Sequence, residues 1–127
     1  MTDLTGKTAI ITGAGAGIGR SIALTFAKSG AQIVIADINL ASAKLVVKEI
    51  EELGGEAIAS ETNVADTSQA EALVDKVVAR FGKLDILVNN AGLPSQYKQG
   101  TPDEVWDLGI EQTLSSVQRM SRAALRT

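Results

Sequence analysis

The feature of this sequence that most constrains its fold is the regular alternation of short apolar runs with longer amphipathic stretches. Four runs of strand length lie at 8–11, 32–36, 57–60 and 86–88. Stretches with helical spacing follow them, at 18–29, 39–53, 67–81 and 101–125. Apolar strands without in/out alternation, separated by helices, are typical of a parallel sheet with both faces covered.

The βαβαβαβα order, combined with right-handed crossovers, predicts a specific arrangement of strands. We expect an α/β fold: a Rossmann-like, doubly wound parallel sheet of about four strands in the order 3-2-1-4. No repeat, low-complexity tract or linker interrupts the 127 residues, which indicates a single domain. In the second helix, the spacing predicts that Leu45, Ile50 and Leu53 face inward.

Composition removes several classes of function. The chain has no Cys and no His, which excludes disulfides and metal sites built on thiolate or imidazole, and no metal site is expected. A net charge of −3 without a basic block argues against nucleic-acid binding. Its apolar runs are too short for a transmembrane helix, and its start lacks the pattern of a signal peptide, so we expect a cytoplasmic protein without a membrane partner.

A glycine-rich loop joins the first strand to the first helix. It has the form T-G-x-x-x-G-x-G, from Thr12 to Gly19. Glycines let the backbone approach a pyrophosphate closely, and the helix N-terminus adds free N–H groups. The loop is not a strict G-x-G-x-x-G, since Ile18 takes the last glycine position, and it is not a Walker A loop, since Arg20 follows Gly19. The alternative is a structural turn without a ligand, but the position after the first strand favours dinucleotide binding.

An acidic residue, Asp37, closes the second strand. A carboxylate at this point can accept hydrogen bonds from the hydroxyls of the adenosine ribose, whereas the 2′-phosphate of NADP would face a like charge. No Arg or Lys lies nearby in the sequence to compensate, so the pattern favours NAD as the cofactor. The alternative is a surface Asp or a helix cap.

Asparagines follow the third and fourth strands. The amide of Asn63 could pair with an adenine edge while Val64 packs nearby, or Asn63 could form an Asx turn before the next helix. After the fourth strand comes N-N-A-G, residues 89–92, whose amides can tie neighbouring strands and whose small residues leave room for a nicotinamide ribose. In isolation that tetrapeptide would be only a turn.

Together, these four motifs resemble the classical short-chain dehydrogenases/reductases over essentially the whole chain. The resemblance implies an oxidoreductase that transfers hydride between NAD and an alcohol or carbonyl substrate, and a homo-oligomer. It also implies cofactor-binding residues along the chain. Those for the pyrophosphate are Gly13, Gly17, Ile18 and Gly19; for the ribose, Asp37; for the adenine, Asn63 and Val64; for the central strands and nicotinamide ribose, Asn90, Ala91 and Gly92.

The sequence departs from the family pattern at two points. Thr113 stands where the family usually has an Asn in the fourth helix, so the resemblance implies a catalytic position at which a hydroxyl, in place of an amide, could hold a water. The family's catalytic Ser and Tyr-x-x-x-Lys follow a fifth strand and are not among residues 1–127, so we expect a domain incomplete at its C-terminal end. Tyr97 and Lys98 are adjacent, which does not give the required one-face geometry.

Three interpretations therefore remain open at this stage. The chain is the cofactor-binding portion of a dehydrogenase, or it is a complete but catalytically inactive NAD(H)-binding module. In the third, it binds no ligand at all.

Overall fold

The computed structural model describes residues 3–90 and 116–125. Its strands are β1 (Thr8–Thr12), β2 (Gln32–Asp37), β3 (Glu56–Glu61) and β4 (Ile86–Val88). Its helices are α1 (Gly17–Lys28), α2 (Leu40–Glu52), α3 (Thr67–Phe81) and α4 (Ser116–Leu125). The strands form a parallel sheet in the order β3-β2-β1-β4, which confirms the predicted fold class and strand order. α4 is the end of the helix expected over 101–125, and residues 101–115 lie outside the described part.

The central strand is β1, and it explains the apolar runs. Ile10 lies opposite Val34 of β2 on one side and Leu87 of β4 on the other. All five residues of β1 are buried. Because helices cover both faces of the sheet, neither set of alternating side chains meets water, and the strand is apolar except for Thr8 and Thr12 at its two ends.

The two faces of the sheet have different cores. The face beneath α1 and α2 is lined by small helix residues, among them Ala23, Ala27 and Ala43. The face beneath α3 and α4 is filled by larger ones, including Leu73, Val77 and Met120. Because alanine side chains are short, the backbones of α1 and α2 can lie close to the sheet.

The prediction that Leu45 and Leu53 face inward is wrong. Leu45 is 65% exposed and Leu53 is 53% exposed, whereas Ile50 is fully buried as expected. The inward stripe of α2 is Ala43, Val46 and Ile50. Position 45 therefore falls on the opposite side of the helix, and Leu53 is the C-cap residue at which the helix ends.

Helix ends follow the capping residues in the sequence. The Asn39 side chain accepts a hydrogen bond from the Ser42 amide, and Asp66 accepts from the first turn of α3. Gly82 ends α3 in the left-handed conformation. Within residues 3–90 and 116–125, no helix is long and apolar enough to cross a membrane.

Candidate functional site

The carboxyl ends of the four parallel strands meet at one edge of the sheet, which we call the carboxyl edge. It carries the segments that the sequence singled out. These are the loop from Thr12 to Gly19 after β1, Asp37 after β2, Asn63 and Val64 after β3, and Asn90 after β4. Ligands of doubly wound sheets bind at this edge. Three other predicted positions, Ala91, Gly92 and Thr113, lie outside the described residues.

Two glycines of the loop are required by backbone conformation. Gly13 has φ 63° and Gly17 has φ 58°, values that residues with a side chain rarely adopt. The amide of Gly13 donates to the carbonyl of Ala36 at 2.8 Å, so the loop is tied to the end of β2 as it leaves β1. The loop then turns back to start α1 at Gly17.

Two other glycines are required by space. A Cβ at Gly19 would lie 2.5 Å from Nδ2 of Asn90 and 2.6 Å from the carbonyl oxygen of Gly13. A Cβ at Gly15 would lie 2.8 Å from Oδ2 of Asp37 and 2.9 Å from Cβ of Ser42. Sequence analysis did not single out Gly15, and the only signal for it was its place in a glycine-rich run.

The N-terminus of α1 opens at the same edge. Ala16 occupies the N-cap position, and its side chain makes no capping hydrogen bond. The side chain of Ile18, in the first turn of α1, is 73% exposed. Helix N-terminal amides attract anions through their N–H groups and the helix dipole, so this turn has the chemistry of a phosphate site.

Asp37 is held by two backbone amides. Its Oδ2 accepts from the Gly15 amide and its Oδ1 accepts from the Asn39 amide, both at 2.8 Å. Its own carbonyl accepts from the Thr62 amide at 3.0 Å. The carboxylate is thus fixed in orientation, with further lone pairs on each oxygen for other donors.

Asn63 forms the Asx turn that the sequence left open. Its Oδ1 accepts from the backbone amide of Ala65 at 3.0 Å, and the backbone amide of Asn63 donates to Oε1 of Gln69 at 2.8 Å. Because an amide oxygen has two lone pairs, Oδ1 can accept a second hydrogen bond beside this turn, and Nδ2 can donate to a ligand. Val64 is nearly buried in the core beneath α3.

Asn90 links β4 to the start of the glycine loop. The backbone amide of Asn90 donates to Oγ1 of Thr12 at 3.0 Å, and its side-chain Nδ2 donates to the carbonyl of Gly13 at 3.2 Å. The hydroxyl of Thr12 donates to the carbonyl of Val88 at 3.4 Å. Three polar groups thus join the ends of the two central strands directly under the loop.

An ion pair flanks the loop. Arg20, in α1, donates from Nε to Oε1 of Glu49 in α2 at 2.9 Å, and its Nη2 contacts Oε2 of the same residue. The hydrogen bond from Arg20 lowers the pKa of Glu49 below its usual value. The guanidinium in the first turn of α1 is therefore already paired with a carboxylate.

Comparison with known proteins agrees with this geometry. The profile of the family described as short chain dehydrogenase matches residues 7–127. Over 89 residues the chain is 54% identical to a 7alpha-hydroxysteroid dehydrogenase of Escherichia coli, covering 70% of this chain and 35% of that protein. It is 37% identical over 129 residues to a 3-oxoacyl-acyl-carrier-protein reductase of Staphylococcus aureus, covering 94% of this chain and 51% of that protein.

Solved structures agree as well. A hydroxysteroid dehydrogenase from Escherichia coli superposes with a TM-score of 0.92 at 43% identity, over 96% of this chain and 52% of that one. A 7 alpha-hydroxysteroid dehydrogenase solved with NADH and 7-oxo glycochenodeoxycholic acid gives the same TM-score and identity, over 48% of its own length. The chain thus spans about half the length of these solved relatives. From the profile match and these relatives, the chain belongs to the short-chain dehydrogenase/reductase family of oxidoreductases, with that family's NAD(H)-binding fold.

Proposed function

We propose that this chain binds NAD(H) along the carboxyl edge and is the cofactor-binding portion of an oxidoreductase that acts on an alcohol or carbonyl substrate. One observation carries the proposal: the Asp37 carboxylate lies 2.8 Å from the Gly15 amide. A ribose-binding group and a phosphate-binding loop are therefore adjacent, as an adenosine diphosphate unit requires. The similar 7 alpha-hydroxysteroid dehydrogenase structure with NADH supports the choice of ligand.

The loop fits a pyrophosphate. We assign that group to the segment of Gly13, Gly17, Ile18 and Gly19, where the amides at the start of α1 open toward the edge. A Cβ at Gly17 would meet no atom within 4 Å, so the space above it is free for a ligand. The exposed side chain of Ile18 would cover the bound phosphates from the solvent side.

The charges favour NAD over NADP. A 2′-phosphate would approach Asp37, and two like charges about 4 Å apart repel by roughly 1 to 4 kcal/mol between bulk water and a protein surface. Arg20 is paired with Glu49, whose negative charge offsets the attraction of the guanidinium for a 2′-phosphate. The hydroxyls of NAD, in contrast, can donate to the remaining lone pairs of the carboxylate.

The remaining contacts follow from the other strand ends. Asn63 would offer Nδ2 to the adenine edge, above the core position of Val64. Asn90 holds the end of β4, and Ala91 and Gly92 would border the nicotinamide ribose, as the resemblance implies.

The chain's own part in the reaction is binding and orientation. When bound, the nicotinamide ring supplies or accepts the hydride. The family's catalytic Ser and Tyr-x-x-x-Lys are not among residues 1–127. An alcohol or carbonyl substrate is supported by relatives named as hydroxysteroid and cyclohexanol dehydrogenases.

A titration with NADH tests the proposal, and the change in nicotinamide fluorescence reports binding. We expect the unaltered chain to bind NADH and Gly17→Trp to abolish binding, because the indole would fill the pyrophosphate space. Gly54→Trp is the matched control: both glycines have positive φ with no atom near a Cβ, but Gly54 lies at the other end of the sheet. An unaltered chain that ignores NADH, or equal loss in both variants, contradicts the proposal.

We also infer a homo-oligomer. This inference rests on membership of the short-chain dehydrogenase/reductase family, whose classical members commonly associate through the fourth helix and the helix after it. Light scattering at rising concentration should show association, and a stable monomer throughout would contradict this expectation.

A further inference from the structure

Gly15 presents a question that the loop motif does not answer. It occupies an unspecified position of T-G-x-x-x-G-x-G, and its φ is not positive, so neither the motif nor the backbone requires glycine there. Yet a Cβ would lie within 2.9 Å of both Oδ2 of Asp37 and Cβ of Ser42. A side chain at this position is excluded by its neighbours, and the closest of them is the Asp37 carboxylate.

We propose that Asp37 is a positioning residue for the glycine loop in addition to its ribose role, and that Gly15 and Asp37 act as one unit. Oδ2 of Asp37 holds the Gly15 amide at 2.8 Å, in the middle of the loop between the two glycines of positive φ. Oδ1 holds the Asn39 amide at the start of the next loop. One carboxylate therefore joins the β1–α1 loop to the β2–α2 loop.

The backbone beneath this unit strengthens the link. The carbonyl of Ala36, the residue before Asp37, accepts from the Gly13 amide at 2.8 Å. The Ala14 amide reaches the same carbonyl at 3.5 Å, so the loop is attached to the end of β2 by a carbonyl at Gly13 and Ala14 and by a carboxylate at Gly15. Removing the carboxylate leaves only the bonds to the Ala36 carbonyl, so the path from Gly15 into α1 loses a contact that orders it.

The consequence is that cofactor choice and loop geometry depend on the same side chain. Replacing Asp37 to admit a 2′-phosphate also releases the loop that would hold the pyrophosphate. This part of the inference rests on the proposed NAD(H) site, whereas the loop contact itself does not. Two experiments separate them.

The first experiment needs no ligand. Amide hydrogen exchange is measured residue by residue in the chain and in Asp37→Ala. We expect the Gly15 amide to exchange roughly tenfold faster in the variant, since its hydrogen bond is lost. The matched control is Asp85→Ala, whose carboxylate accepts from the Thr8 amide at 2.9 Å at the other end of the sheet. It should speed exchange at Thr8 and leave Gly15 unchanged. Unchanged exchange at Gly15 in Asp37→Ala overturns the proposal.

The second experiment uses an NADH analogue whose adenosine ribose lacks both hydroxyls. This probe cannot donate to Asp37. In Asp37→Ala the negative charge of the carboxylate is gone, which by itself should raise the affinity of the chain for the anionic probe. If Asp37 also positions the loop, affinity in Asp37→Ala instead falls, by roughly fivefold for one lost hydrogen bond. Equal or tighter binding overturns the positioning role. If the unaltered chain binds neither NADH nor the analogue, the proposed function fails, while the exchange experiment still decides the loop contact.

A double-mutant cycle tests whether the two residues form one unit. Gly15→Ala should lower the unfolding midpoint, and part of that loss should disappear when Asp37 is already Ala. Gly55→Ala is the control, because a Cβ there would lie 2.8 Å from Cγ2 of Ile50, far from the loop. Its cost should be the same with and without Asp37. Additive effects of Gly15→Ala and Asp37→Ala contradict the proposal.

Discussion

Polar side chains hydrogen-bond to backbone groups at both edges of the sheet, but they join different parts of the chain at each edge. At the amino edge, where the strands begin, a row of side chains runs across all four strands. Asp85 accepts from the Thr8 amide, Thr8 Oγ1 donates to Gln32, and Gln32 donates to Glu56. Arg80 closes the row with its ion pair to Glu56. Each polar group there has another side chain or strand end as its partner.

At the carboxyl edge, side chains hold loops instead of neighbouring side chains. Asp37 binds the amides of two loops, and Asn90 binds the loop that follows β1. Both residues keep hydrogen-bonding capacity beyond these contacts. A carboxylate that accepts from backbone amides thus ties two strand ends together at the amino edge and two loops together at the carboxyl edge. The following changes should affect one edge without the other.

The largest effect is expected from Gly19→Ala, at the carboxyl edge. The new methyl would collide with the Asn90 amide and with the Gly13 carbonyl, which is backbone and cannot move aside. Overpacking of this kind costs about 2–3 kcal/mol, and NADH binding should be lost with it. Chemical denaturation and an NADH titration measure the two effects.

Gly82→Ala is the comparison for that variant. Gly82 ends α3 at the amino edge with φ 83° and no atom near a Cβ. Alanine there should cost about 1 kcal/mol through backbone strain and leave NADH affinity unchanged. Tight NADH binding by Gly19→Ala would show that the loop tolerates a side chain at this position.

The second effect concerns the choice of dinucleotide. Asp37→Ser should weaken NADH binding about tenfold, because a hydrogen bond to a charged group is lost. It should weaken NADPH binding less, or improve it, because the like charge is gone. Parallel titrations with NADH and NADPH give the ratio of affinities, and an unchanged ratio would show that Asp37 does not discriminate.

A third effect should appear at the amino edge alone. Hydrogen bonding from the Thr8 amide lowers the pKa of Asp85 below its usual 3.8. The stabilisation is therefore fully present above that value and is lost as the pH falls through the lower, folded-state pKa. Asp85→Asn should lower the melting temperature near neutral pH and flatten its fall below pH 4, with NADH affinity unchanged. If the melting temperature of Asp85→Asn falls below pH 4 as steeply as that of the unaltered chain, Asp85 is not the group responsible for this loss.

The smallest effect is expected for the ion pair between α1 and α2. Arg20 and Glu49 are both well exposed to solvent, so the charges are screened by water and salt. Glu49→Gln should change the melting temperature only slightly, and the difference should shrink further at high salt. A large, salt-independent loss would mean that the pair orders the loop, which would extend the role of the carboxyl edge into α2.

Much of the site was predictable because parallel strands bring their ends together. Once the order βαβαβαβα was recognised, Asp37, Asn63 and Asn90 had to share one edge with the glycine loop. What each side chain does there was not predictable. The sequence left Asn63 between an adenine contact and an Asx turn, and the turn is present. Gly15 was missed because its requirement comes from Asp37, a residue 22 positions away.

The same division holds for the fold. The sequence by itself determined the element types, the strand order and the edge of the sheet that carries the loops, because apolar periodicity, capping residues and crossover handedness are local or nearly local properties. Only the tertiary structure decided that Leu45 faces solvent while Ala43 faces the sheet, and that Gly15 and Asp37 touch. Those outcomes depend on how closely two elements approach, and that distance is set by every side chain between them.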